Sequence, residues 1–128
     1  MSLLITVASS GSEEDKIVKI VEVHIDIEDD YDRNKEYVVL EVKDKTNLKG
    51  WILTDKYGNF FFFPDRELEG RITIFSGEGE NTDTELYWNS PRFVWDLAGD
   101  VCYLYDEERK VVDVLSYGMD KTCECSIY

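Results

Sequence analysis

Apolar and polar residues alternate along this chain with a period of two, and no stretch sustains the 3.6-residue period of an amphipathic helix. Val21, Val23, Ile25 and Ile27 alternate with Glu22, His24 and Asp26. Just upstream, Ile17-Val18 and Ile20-Val21 fall out of that phase, which predicts a β-bulge near Ile20. Val38, Leu40 and Val42 alternate with Tyr37, Val39, Glu41 and Lys43. Short runs rich in β-branched and aromatic residues follow at 51–54, 59–63, 71–75, 86–88, 100–105 and 111–116.

Turn signals separate these runs: Asp29-Asp30-Tyr31-Asp32, Thr46-Asn47, Gly77-Glu78-Gly79, Asn89-Ser90-Pro91 and Asp106-Glu107-Glu108. Short strands with a turn roughly every ten residues predict a β-sandwich or barrel. Asp55-Lys56-Tyr57-Gly58-Asn59 reads as a tight hairpin in which Gly58 supplies the positive φ. Residues 60–63 are a continuous aromatic run, so either both faces of that strand are covered or one serves a partner; Pro64 ends it. Trp51, Val38, Leu40, Ile72 and Ile74 are the expected core.

The middle of the chain carries an ordered series of aromatics and glycines. It runs Leu48, Gly50-Trp51, Asp55-x-x-Gly58, Phe61-x-Phe63-Pro64, Gly70-x-Ile72-x-Ile74 and Ser76-Gly77-x-Gly79. It continues through Leu86-x-Trp88, Trp95, Gly99-Asp100 and Leu104-x-Asp106. In this order the series resembles the lamin tail domain, from about Ile17 to Tyr117. The resemblance implies an all-β, immunoglobulin-like antiparallel β-sandwich and a non-catalytic family. It matches Gly50-Trp51 to a strand start whose Trp enters the core, and Gly77-Glu78-Gly79 to the turn after a strand. It matches Trp88 and Trp95 to the later tryptophans. These positions determine a fold and carry no chemistry of their own. Unlike nuclear lamin tails, the sequence has no upstream coiled-coil heptads and no basic flanks. The resemblance therefore points to a stand-alone or excised copy of the prokaryotic kind, often found in exported or surface proteins.

Composition fits one folded domain: 128 residues, 43% hydrophobic and 13% aromatic. The expected organisation is a flexible leader or linker at 1–16, the sandwich at 17–118 and a tail at 119–128. The net charge of −14 is concentrated in two stretches, 13–36 and 76–108, while 37–75 and 109–128 each balance to zero. So acidic a chain is a poor nucleic-acid ligand, because phosphate contacts need clustered Lys and Arg. No run approaches the ~20 apolar residues of a membrane span, which excludes direct insertion by a helix. Residues 3–8 (LLITVA) followed by Ser9-Ser10-Gly11-Ser12 read as the end of a signal peptide or as a plain leader; an extracellular or cell-surface location is the expectation. Cys123-x-Cys125 is too short for a zinc half-site, and Cys102 alternates in phase as a small core residue, so free thiols are expected.

The acidic loop 26–34 is the sharpest candidate for chemistry. Asp30-x-Asp32-x-Asn34, with Glu41 further on, reproduces oxygen positions of a calcium loop, but Lys35 stands where that loop needs Gly. A solvated acidic loop is the commoner meaning of such a fragment. His24 is the only histidine, and Ser76-Gly77 lacks the pattern of a hydrolase elbow, so no catalytic, cofactor-binding or metal residue is assigned. The many tyrosines, among them Tyr57, Tyr87, Tyr103, Tyr105 and Tyr117, suit either half-buried strand edges or recognition of a protein or glycan. The sequence thus reads as a non-catalytic binding, adhesion or structural module, with a calcium-stabilised sandwich using loop 26–34 as the alternative.

Overall fold

A computed structural model describes residues 16–26 and 32–118. The alternating stretches become eight strands: β1 (Val18–His24), β2 (Tyr37–Asn47), β3 (Ile52–Thr54), β4 (Phe60–Phe62), β5 (Glu67–Phe75), β6 (Glu85–Tyr87), β7 (Gly99–Tyr105) and β8 (Val111–Gly118). They form two four-stranded sheets, ordered β1-β2-β5-β6 and β4-β3-β7-β8, packed face to face as an immunoglobulin-like sandwich. All pairings are antiparallel except β5 with β6, which run parallel. A long crossover through 76–84 reaches β6, since no tight hairpin can join parallel neighbours.

The period-two pattern fixes which face each side chain takes. Val38, Leu40, Val42, Ile72 and Ile74 from the first sheet are buried against Leu53, Phe61, Cys102 and Leu104 from the second. The bulge lies where phase is lost, between Ile20 and Glu22 in the pairing of β1 with β2. β5 begins at Glu67, ahead of the expected 71–75, because Leu68 fills the core while Glu67 and Glu69 face water. Trp51 corrects the expected core: it is half-buried and packs against the core's margin. It sits just before β3, with its N–H donated to the Leu48 carbonyl and its own carbonyl accepting from Phe63 N–H. Trp95 is the tryptophan that is buried, with Trp88 edge-on to it.

Two carboxylates are built into the sandwich. Glu36, 1% exposed, accepts from the backbone N–H groups of Val94 (2.8 Å) and Trp95 (3.1 Å), tying the start of β2 to the connection between β6 and β7. Asp113 on β8 accepts from Ile20 N–H (2.8 Å) and Lys16 Nζ (2.8 Å), joining the edge of one sheet to the edge of the other. At the hairpin between β3 and β4, buried Asp55 accepts from Tyr57 N–H, Asn59 N–H and Asn59 Nδ2. Gly58 there has φ +92°, as its turn requires.

Candidate binding face

The second sheet has an outer face that its cross-strand register makes apolar. Opposite residues share a face, so Phe62, Ile52, Tyr105 and Val111 form one row across the four strands. Phe60, Thr54, Tyr103 and Val114 form the next. Val101 and Ser116 continue the face beyond them. None of these positions carries an acid or a base, in a chain that is 33% charged. Phe60 is 53% exposed and Phe62 56%, with their rings edge to face at 5.0 Å. Tyr103 and Tyr105 lie nearly parallel beside them, centroids 6.1 Å apart. Leaving two phenylalanines half in water forgoes roughly 1 kcal/mol of burial each. The alternation in β4 is complete, since Phe61 and Phe63 are the buried members of the run.

The first sheet's outer face differs in kind. Lys19, Glu41 and Arg71 stand opposite one another across β1, β2 and β5, and Arg71 also lies 3.7 Å from Glu22. Beside this charged row runs a ladder of rings, one per strand. His24 stacks on Tyr37 at 4.6 Å, Tyr37 meets Phe75 edge-on, and Phe75 stacks on Tyr87 at 5.1 Å. Tyr87 in turn lies over Gly79, where any Cβ would strike its ring. Within the ladder the rings pack mainly on one another.

The residues singled out for chemistry are engaged structurally. His24 is held in the ladder, with Nδ1 3.5 Å from Glu22. Cys102 is fully buried, and burial pushes its thiol well above its ordinary value, far from a reactive thiolate. Of the acidic loop, residues 27–31 lie outside the described residues. Asp32 caps the 3-10 turn Arg33–Lys35 by accepting from Asn34 N–H. Asn34 accepts from Gly77 N–H (2.8 Å) and donates to the Glu78 carbonyl, and Glu41 points outward from β2. Among the described residues no three His, Cys, Asp or Glu side chains converge as a metal set. Cys123 and Cys125 lie outside the described residues.

At one end of the sandwich, Tyr57 and Tyr117 both donate to Asp96, one to its carboxylate and one to its carbonyl. The Ala98 amide and the Tyr57 hydroxyl hold the Asp96 carboxyl below its usual range. Asp100 accepts from the amides of Lys56 and Asp96. This cluster locks the entry to β7.

The fold and the ordered aromatics meet in one comparison: the chain matches the family model of the Lamin Tail Domain over residues 12–119. It belongs to the lamin tail domain family. A comparison with curated proteins found no match. Lamin tail domains are immunoglobulin-like and non-enzymatic as a family. In this lamin tail domain Gly50 has φ +88° at the approach to β3, Phe61 and Phe63 enter the core ahead of Pro64, and Gly79 seats Tyr87. No helix among the described residues is long and apolar enough to cross a membrane. The sequence flagged the run 60–63 as a possible partner surface. It did not reveal the two rows, because Val111 and Val114 become neighbours of Tyr105 and Tyr103 only through the sheet register.

Proposed function

We propose that this lamin tail domain is a non-catalytic interaction module whose partner is a protein docking on the outer face of the second sheet. One observation carries the reading: two adjacent four-residue rows of apolar, aromatic and hydroxyl side chains cross that face without a charge. Soluble chains seldom leave such a patch open unless it serves contact. A protein suits it better than a glycan, because the exposed phenylalanines offer no hydrogen bond to sugar hydroxyls. The engaged states of Cys102, His24 and the acids around Asp96 support a role without turnover.

The test is capture from extract of the source cells by the wild-type domain and by Phe60→Ser plus Phe62→Ser. Specific proteins retained by the first and lost by the second bear the reading out. Equal retention refutes it, as does reproducible turnover by the isolated domain. Retention on polysaccharide resin that depends on the two phenylalanines would replace protein by glycan. We further place the module in an exported or surface-attached protein, on the apolar run 3–8 and the small residues after it. Residues 1–16 fused to a leaderless reporter should then export it, and retention of the reporter inside the cell refutes this placement.

A further inference from the structure

We infer that the occupant of the second sheet's outer face is a second copy of this chain, the two faces packing into a symmetric dimer. The inference rests on the interaction-module reading and names its partner. Charge carries it first. Two bodies of net charge −14 repel wherever their acids meet. On this face the two four-residue rows bring no ionic side chain to the contact.

Shape carries it further. The face has a ring-rich flank on β4, with Phe60 and Phe62, and a short-chain flank on β8, with Val111 and Val114. A two-fold axis lying between the sheets and along the strands sets each copy's phenylalanine flank over the other's valine flank. Large side chains then meet small ones, as an isologous interface requires. Facing sheets pack about 10 Å apart with strands about 30° apart, a separation these side chains can fill.

Area sets the strength. Four strands at ~4.8 Å spacing, two of them only three residues long, make a narrow face of roughly a few hundred Å² per copy. That lies below the total of about 1,200 Å² for a stable interface, so the pair is a weak, reversible dimer.

Sedimentation of the full chain from about 1 to about 500 µM tests this, at about 50 and about 500 mM sodium chloride. The expected result is a monomer–dimer equilibrium that tightens severalfold in high salt, because salt screens the repulsion and leaves the apolar contact intact. Phe62→Glu should weaken it at least ~10-fold while the monomer still unfolds cooperatively, since more than half of that side chain is exposed. Phe60→Ser, which adds no charge, should weaken it as well. A monomer at every concentration overturns the self-pairing but leaves the module reading to its own capture test. A dimer that ignores both substitutions, or that dissociates in high salt, overturns the assignment to this face.

Discussion

Ile20 on the edge of one sheet donates its backbone N–H to the Asp113 carboxylate on the edge of the other, at 2.8 Å. The bulge after Ile20 interrupts the ladder between β1 and β2, and Asp113 accepts the amide where the ladder is irregular. The carboxylate is 9% exposed and is also held by Lys16 Nζ and Val114 N–H.

Asp113→Ala should therefore cost about 1–3 kcal/mol, because it leaves a buried donor unpaired. Asp113→Asn should cost less, since its amide oxygen can still accept from buried Ile20, while the Lys16 ion pair and the Val114 bond, both on the other oxygen, are lost. Denaturant melts rank the two, and hydrogen exchange at Ile20 should speed up in the alanine variant alone. Equal costs would place the effect at the oxygen shared by Lys16 and Val114 instead.

Glu36 gives a pH dependence of definite sign. Burial raises its carboxyl above the ordinary value of 4.5, opposed by the nearby Ser76 side chain and by its bonds from the Val94 and Trp95 amides, and reinforced by nearby Asp100. A raised folded pKa means that this group's contribution is fully present below the unfolded value and is lost as pH rises through the folded one. Compared with Glu36→Gln, whose side chain does not titrate, the wild type should gain stability as pH falls from 7 toward 5. The difference in denaturant midpoint between the two proteins measures this, and a gap that narrows toward acid contradicts it. At neutral pH the glutamine variant should lose about 1–3 kcal/mol, because one of two buried amides loses its acceptor.

The aromatic run in β4 should split by parity. Phe61→Ala empties core space and should cost about 3–5 kcal/mol, while Phe60→Ser and Phe62→Ser should each cost only about 1 kcal/mol. Trp51→Ala should fall between these limits, since its ring is half-buried. Thermal melts decide, and a large loss at Phe60 or Phe62 would show that the outer face is covered within the monomer.

Calcium should not raise the melting temperature beyond what sodium chloride does at matched ionic strength. Asp32 and Asn34 already spend side-chain oxygens on backbone amides, and Lys35 brings a positive charge beside them. A specific site occupied at a hundred times its Kd would add ~2.7 kcal/mol, or several degrees in a domain of this size. Such a shift, abolished by Asp30→Asn plus Asp32→Asn, would put an ion in the loop.

Much of this architecture was legible because period-two patterning and strand sense are local. The bulge near Ile20, the glycine in the 55–59 hairpin and the placement of Cys102 all followed from neighbours in sequence. Trp51 was misplaced because the resemblance put its ring in the core, whereas its position just ahead of the strand leaves it half-buried. Glu36 and Asp113 were invisible as structural groups: each reads as one more acid in an acidic chain until the fold brings distant amides to it. The apolar outer face of the second sheet stayed half-hidden for the same reason. Phe60 and Phe62 show their alternation in the chain, but Tyr103 and Val114 join them only through register.

The bulge in β1 has a consequence for how the protein can assemble without polymerising. Unpaired strand edges recruit further strands, and such growth has no natural end. Here β1 is kinked, with one amide already given to Asp113, and that same contact sets β1 against β8. β4 and β6, the remaining sheet edges, are three residues long. Blunted borders of this kind make poor templates for fibrils. A sticky surface on the flat of a sheet, by contrast, is used up once it is covered. The chain can therefore keep phenylalanines in water and still stop at a finite complex.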